Sequence, residues 1–195
     1  EIKLATPSPQ QIDFMNNEIG AFFHFTTNTF TGAEHGDGTA TPADFNPTKL
    51  DVDQWMEAAK SLGAKYAVLT ARHEDGFCLW PTQLTEYCIR NTPYKDGKGD
   101  IVGELAAACK KYGIKFGFYY SHAFDWEHPD APGNDWDYPT NPGGDKLVGG
   151  KNWWLERKDF LANAEKYVNE KSIPQIQELI RKYDPDILWF EIGRA

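Results

Sequence analysis

The chain has 195 residues and a formal net charge of −9, from 20 Lys+Arg against 29 Asp+Glu. Hydrophobic residues at 41% and charged residues at 25% suit a soluble globular domain, or part of one, that can bury a core. The acidic excess argues against nucleic acid and anionic membrane surfaces, both of which demand a basic face.

Taken in chain order, the first apolar run is Gly20 to Phe25 (GAFFHF), nearly continuous rather than alternating, as in a strand buried on both faces. Asp51 to Leu62 then reads as a helix, opening on acidic residues and closing at Gly63. A second run, Lys65 to Ala71 (KYAVLTA), predicts a second strand. Asp100 to Tyr112 predicts a second helix, with Lys110 and Lys111 in its last turn and Gly113 after it. Lys115 to Tyr120 (KFGFYY) predicts the third strand. Asp159 to Tyr183 reads as two helices, because Pro174 suits the start of the second. Asp186 to Glu191 (DILWFE) predicts the fourth strand. No apolar run approaches the roughly 18–20 residues of a membrane span.

Strand, helix, glycine and strand in repetition is the pattern of an α/β fold. The returns into the strands are short and alike (LGAKYAVL and YGIKFGFY), whereas the excursions after them, Thr26 to Leu50, Arg72 to Gly99 and Ser121 to about Asn152, are long. This is the layout of a (β/α)₈ TIM-type barrel, whose active site lies at the strand C-termini. A doubly wound sheet would show a phosphate-binding glycine turn after the first strand, and His24-Phe25-Thr26-Thr27-Asn28-Thr29 is unlike one. A barrel of eight strands needs about 250 residues. The expectation is therefore that residues 1–195 are the N-terminal part of one barrel domain, with about four βα units in this chain and the remainder supplied from elsewhere.

Polar residues gather at the predicted strand ends: His24, with Glu34 and His35 in the loop beyond, then His73, Glu74 and Asp75, then Tyr120, Ser121 and His122, then Glu191. Asp75-Gly76-Phe77 also reads as a turn. A divalent metal held by His24, His73 and Glu34 is one chemistry open to this set, but neither an HExxH nor an HxH spacing is present. Glycoside hydrolysis is the other, needing two carboxylates and side chains that grip hydroxyls. Aromatic content is high, with 7 Trp, 9 Tyr and 12 Phe, and aromatic faces stack on sugar rings; Trp80, Trp126, Trp136, Trp153 and Trp154 are candidate walls. Cys78, Cys88 and Cys109 lack CxxC spacing and read as free thiols.

The blocks FFHFTTNTFTGAEHGDG, DFNPTKLDVDQWMEAAKSLGAKYAVLTARHEDGFCLWP, KDGKGDIVGELAAACKKYGIKFGFYYS and YDPDILWFEIG together resemble the family 29 α-L-fucosidases, in order from about Gly20 to Gly193. The EHGDG and GFCLWP stretches are similar to the branch acting on branched 1,3/1,4-linked fucose. The resemblance implies a (β/α)₈-type catalytic barrel and a retaining mechanism on fucosylated oligosaccharides, without a cofactor. A carboxylate after strand four forms the covalent glycosyl intermediate, and a Glu later in the chain is the acid/base. It implies roles residue by residue. His24, Glu34 and His73 hold fucose hydroxyls, with His35 beside them. Tyr120 and Trp189 face the apolar side of the sugar, Trp80 and Trp126 lie at the rim, and Glu191 stands at the nucleophile position.

Two departures bear on chemistry. Glu74 replaces the second His of the family's HHDGF motif, exchanging a potential donor for an acceptor-only carboxylate. Glu191 replaces the nucleophilic Asp, and a displacement of about 1 Å can cost about 10²-fold in rate. A non-catalytic sugar-binding relic, or a hydrolase for a related sugar such as an α-L-galactoside, are the alternatives, with a metal-dependent hydrolase a third. The acid/base is assigned to no residue of this chain, and the oligomeric state is not read from the sequence. The start at Glu1-Ile2-Lys3 reads as trimmed of an export signal, which with the glycan substrate points to a secreted, periplasmic or lysosome-like compartment.

Overall fold

The computed structural model of the chain describes residues 5–32, 39–132 and 158–190. Within them, β1 (Gly20–Phe23), β2 (Tyr66–Arg72), β3 (Lys115–Tyr120) and β4 (Ile187–Phe190) form one sheet in the order β1-β2-β3-β4, every neighbouring pair parallel. The helices are α1 (Pro9–Met15), α2 (Asn28–Thr31), α3 (Val52–Leu62), α4 (Ile101–Tyr112), α5 (Lys158–Tyr167) and α6 (Ile173–Tyr183). The parallel α/β layout expected from the sequence is thus present, and the short helices α1 and α2 are additions to it. No helix among the described residues is long and apolar enough to cross a membrane.

The repeated helix-to-strand returns have a common cause. Asp51 and Asp100 cap α3 and α4, each accepting a backbone N–H three residues on, from Gln54 at 3.1 Å and Gly103 at 2.9 Å. Gly63 (φ 88°) and Gly113 (φ 69°) then end these helices in the left-handed region that favours glycine. The next residue in each case bonds back across the last turn, Ala64 N–H to the Ala59 carbonyl at 3.0 Å and Ile114 N–H to Cys109 at 2.9 Å. One residue later the chain is already in the sheet, with Lys65 N–H on the Ile19 carbonyl and Lys115 N–H on that of Lys65. The predicted pair of helices ending at Tyr183 meets through a π-helical turn, Val168–Ser172, with Pro174 in the first turn of α6.

Helices cover one face of the sheet. Leu69, Ala71, Phe116 and Phe118 pack there with Met56 and Ala59 of α3 and Leu105 and Cys109 of α4, all buried. The other face carries Phe22, Val68, Gly117 and Ile187 in one row of register. Phe22, Tyr119 and Trp189 bring their rings together on this side, hereafter the ring face. Phe22 and Trp189, on the two edge strands, keep 39% and 41% of their surface exposed. All three cysteines are buried free thiols.

The pairing of β2 with β3 contains one irregularity. Thr70 faces Tyr119, but the next β3 residue, Tyr120, faces Arg72, so β2 has one extra residue at Ala71. Such a bulge breaks the alternation of faces. Arg72 joins Ala71 on the helix-covered side, and the following residue, His73, emerges on the ring face.

Candidate active site

Each of the four strands delivers a side chain to one cluster at its C-terminal end. The His24 ring lies 4.9 Å from Phe22 and 5.4 Å from His73, the latter at 65°. His73 lies over Tyr119 at 5.6 Å and 29°. Phe22 meets Tyr119 at 5.9 Å and Trp189 edge-on at 5.5 Å. In the row below, Gly117 leaves space for Ile187 of β4, since a Cβ there would lie 2.9 Å from the Ile187 Cβ. Glu74 stands beside the cluster, its Oε1 4.0 Å from His73 Nδ1, and both side chains are largely but not fully covered. Exposed aromatic rings flanked by imidazoles and a carboxylate can stack on an apolar face of a ligand while hydrogen-bonding its hydroxyl groups.

Among the sequence-predicted residues, His24, His73, Glu74 and Trp189 are therefore brought together. Trp126 lies half-buried next to them, its backbone N–H on the Glu74 carbonyl at 2.9 Å. Two others are corrected. Tyr120 is fully buried on the helix-covered side, where its hydroxyl accepts from Arg72 Nη1 at 3.1 Å and donates to Gln175 Oε1 at 2.7 Å. Its neighbour Tyr119 takes the ring face because successive strand residues alternate, and there it backs His73. Trp80 is fully buried as well, and its Nε1 donates to Glu178 Oε2 on α6 at 2.8 Å; it joins the segment after β2 to that helix and does not form a rim. Glu34, His35, Trp136, Trp153, Trp154 and Glu191 lie outside the described residues. Among the described residues no group of three His, Cys, Asp or Glu side chains is placed to hold a metal ion.

A family model for alpha-L-fucosidase matches residues 5–194. The chain belongs to the alpha-L-fucosidase family. Alpha-L-fucosidase 1 of Arabidopsis thaliana is 46% identical over 118 residues, covering 60% of this chain and 23% of that protein. A crystal structure of a glycoside hydrolase 29 family member from an unknown rumen bacterium superposes with a TM-score of 0.74 at 33% identity, over 97% of this chain and 28% of that one. The alpha-L-fucosidase AlfC, solved as a variant in complex with Fuca(1,6)GlcNAc, superposes with a TM-score of 0.72 at 27% identity, over 96% of this chain and 62% of its own. The chain spans about a quarter of the length of the curated relatives it matches first, 23% in each case.

Beneath the ring cluster this fucosidase-family chain carries a buried polar seam that sequence reasoning missed. Arg72 is fully buried on the helix-covered side. Its Nη1 donates to Asp125 Oδ2 at 2.7 Å and to the hydroxyls of Tyr167 and Tyr120 at 2.8 and 3.1 Å. Its Nη2 donates to the Phe124 carbonyl at 2.7 Å and to that of Ser121. Lys171, in the π-helical turn, reaches the same Asp125 oxygen at 2.8 Å and also pairs with Glu127. Burial would raise the Asp125 carboxyl, but Arg72 and Lys171 together hold it below the usual value. Asp75 is the opposite case. Burial pushes its carboxyl up, against bonds from the hydroxyls of Thr26 and Thr27 (the latter at 2.6 Å) and from Phe77 N–H at 3.1 Å. Asp75 thus ties the segment after β1 to the turn after β2, which is the structural role its Asp-Gly-Phe context suggests.

Proposed function

We propose that the full-length protein is a retaining glycoside hydrolase that removes terminal α-L-fucose from oligosaccharides, and that residues 1–195 are the N-terminal part of its (β/α)₈ barrel. The observation that carries this reading is the convergence of His24, His73, Tyr119 and Trp189, one from the end of each of four consecutive parallel strands, on a single face. A barrel assembles its active site from strand ends in that way. Barrel closure is supported by the edges: among the described residues β1 and β4 each pair on one side alone, and further parallel strands would cover the other.

In this reading His24 and His73, with Glu34 and His35, hold the hydroxyls of fucose. Phe22 and Trp189, the exposed rings, lie against its apolar face. Glu74 accepts a hydrogen bond from a hydroxyl that a second imidazole would meet in the family's usual motif, and Trp126 supports it through the Glu74 backbone. Glu191, two residues after Trp189 in the sequence, stands where the family resemblance has its nucleophile, which supports that assignment. It attacks the anomeric carbon, the aglycone oxygen leaves with a proton from an acid later in the chain, and water then releases fucose with the same group acting as base. Carboxylates and hydrogen bonds suffice for this chemistry without a cofactor. The fucosylated glycans such an enzyme meets favour a secreted, periplasmic or lysosome-like location.

The test is release of nitrophenol from 4-nitrophenyl α-L-fucoside by the full-length protein and by Glu191→Ala, with fucose binding measured on both by calorimetry. Turnover lost in the variant with binding kept supports the assignment. Binding without turnover in the parent, on aryl and branched fucosides alike, would make the protein a sugar-binding relic. Neither turnover nor binding would turn the search toward related sugars such as α-L-galactosides.

A further inference from the structure

We propose that Arg72 is a positioning residue for this site, one that sets the place of His73 and Glu74 from behind the sheet. The inference rests on the fucosidase reading above for its catalytic readout, but its geometry is independent of it. Arg72 holds the segment after β3 at three points, the carbonyls of Ser121 and Phe124 and the carboxylate of Asp125. That segment in turn holds the backbone on both sides of His73. Ser121 N–H donates to the Arg72 carbonyl at 3.0 Å, and Trp126 N–H donates to the Glu74 carbonyl at 2.9 Å. A third bond, Gly76 N–H to the His73 carbonyl at 3.0 Å, closes the turn. His73 is therefore bracketed by a closed circuit whose only charged donor on β2 is the guanidinium next to it in sequence.

Stability alone is a poor account of this arrangement. Burying an ion pair costs about as much as it returns, and well-packed apolar groups often replace one without loss. What the planar fork of Arg72 provides is direction, since a guanidinium can serve a carboxylate, two carbonyls and two hydroxyls at fixed angles. Gly76, at φ 84°, has no side chain where a Cβ would run into Asp125 Oδ1, so the turn after His73 is fitted closely against the carboxylate that Arg72 holds. Lys171 supplies a second cation to Asp125 from the π-helical turn, on the Glu127 side, and its two ion pairs both end on carboxylates rather than on the carbonyls that Arg72 spans.

The experiment compares Arg72→Lys and Lys171→Met with the parent, all in the full-length protein. Three readouts are taken: kcat and KM on 4-nitrophenyl α-L-fucoside, amide hydrogen exchange, and the ring resonances of His73. Lysine keeps a cation beside Asp125 but cannot span the two carbonyls. For Arg72→Lys the expectation is a fall of about 10²-fold in kcat/KM, the size expected for a displacement of about 1 Å. Faster exchange at residues 73–76 and 121–126 and a shifted His73 ring signal should accompany it, while the amides of β2 and β3 keep their protection. Lys171→Met should leave kcat/KM and the His73 signal near those of the parent. An unchanged His73 signal in Arg72→Lys would overturn the proposal. So would a loss of protection throughout β2 and β3, which marks a merely structural role, or equal losses in both variants. Should the parent neither turn over nor bind fucose, the exchange and ring-signal readouts still decide the positioning role while the fucosidase reading alone fails.

Discussion

Replacing Tyr120 by Phe separates the two tyrosines at the end of β3. Tyr120 is fully buried, and its hydroxyl links Arg72 Nη1 at 3.1 Å to Gln175 Oε1 at 2.7 Å. Phe keeps the ring, over which the guanidinium sits at 4.4 Å, and removes only the hydroxyl. Arg72 retains its other acceptors, so that side of the loss is modest. Gln175 is also fully buried, and its carbonyl oxygen loses the phenol donor. A buried acceptor stranded in this way costs about 1–3 kcal/mol. Tyr120→Phe should therefore lose about 2 kcal/mol in urea unfolding of the full-length protein at an unchanged m-value, with kcat/KM on the aryl fucoside near that of the parent. Tyr119→Leu should behave in reverse. It removes the ring that backs His73 at 5.6 Å and Phe22 at 5.9 Å, aromatic contacts worth about 0.5–1.5 kcal/mol each, and its main effect should be on fucose affinity and turnover. A Tyr120→Phe protein of parental stability but impaired kcat/KM would refute the assignment of faces and return Tyr120 to the sugar.

Three further outcomes follow from the packing and the buried carboxylates. Gly117→Ala places a methyl 2.9 Å from the Ile187 Cβ and 3.1 Å from its carbonyl oxygen. It should cost about 1–3 kcal/mol by overpacking, seen as a lowered thermal midpoint, and should weaken fucose binding as β4 and Trp189 shift. Trp80→Phe loses the bond to Glu178 at 2.8 Å; about 1–2 kcal/mol of stability should go while kcat/KM stays parental, whereas a selective loss of activity would put Trp80 at the sugar after all. The two carboxylates predict pH effects of opposite sign. Asp125 is held below its ordinary value of 3.8, so its stabilisation is present above that pH and fades as pH falls toward the folded value. Asp75 is raised above 3.8, so its protonated form adds stability that is present below 3.8 and lost as pH rises from there through the folded value. Unfolding curves across the acid range should then show Asp75→Asn gaining on the parent as pH rises and Asp125→Asn gaining on it as pH falls; parallel curves would contradict both.

The strands and main helices were legible because each carries its own local signal. Apolar runs mark the strands, and Asp51 with Gly63, and Asp100 with Gly113, mark the two helices that return the chain. Helix α1 was missed for its shortness, although Ser8 and Gln11 form a reciprocal cap that the sequence spells out. The residue types at the strand ends were legible too, in His24, His73, Glu74 and Trp189. Their faces were not. Two adjacent tyrosines satisfy an aromatic motif equally well, and only the parity with Gly117, which must sit opposite Ile187 and Val68, assigns Tyr119 to the ring face. Buried Trp80 meets Glu178 across 98 residues, and Arg72 meets Asp125 across 53 residues. Separations of that size leave no trace in local pattern.

Under the proposed reading, the bulge at Ala71 suits this face to a neutral sugar. In a regular strand Arg72 would share a side with Thr70 and bring its guanidinium into the ring cluster, while His73 would turn toward the helices. A fixed cation among the rings would suit a carboxylate or phosphate, which a guanidinium grips with two parallel hydrogen bonds. The extra residue reverses that outcome. It sends the cation behind the sheet to Asp125, where Lys171 and the tyrosine hydroxyls complete its surroundings, and it leaves imidazoles, a carboxylate and exposed aromatic rings at the strand ends. Such groups exchange hydrogen bonds with hydroxyls and cover a C–H face, and they hold no permanent positive charge for an anion to seek. In that reading the same one-residue insertion keeps the cation off the ring face on one side of β2 and builds, on the other side, the support proposed for His73.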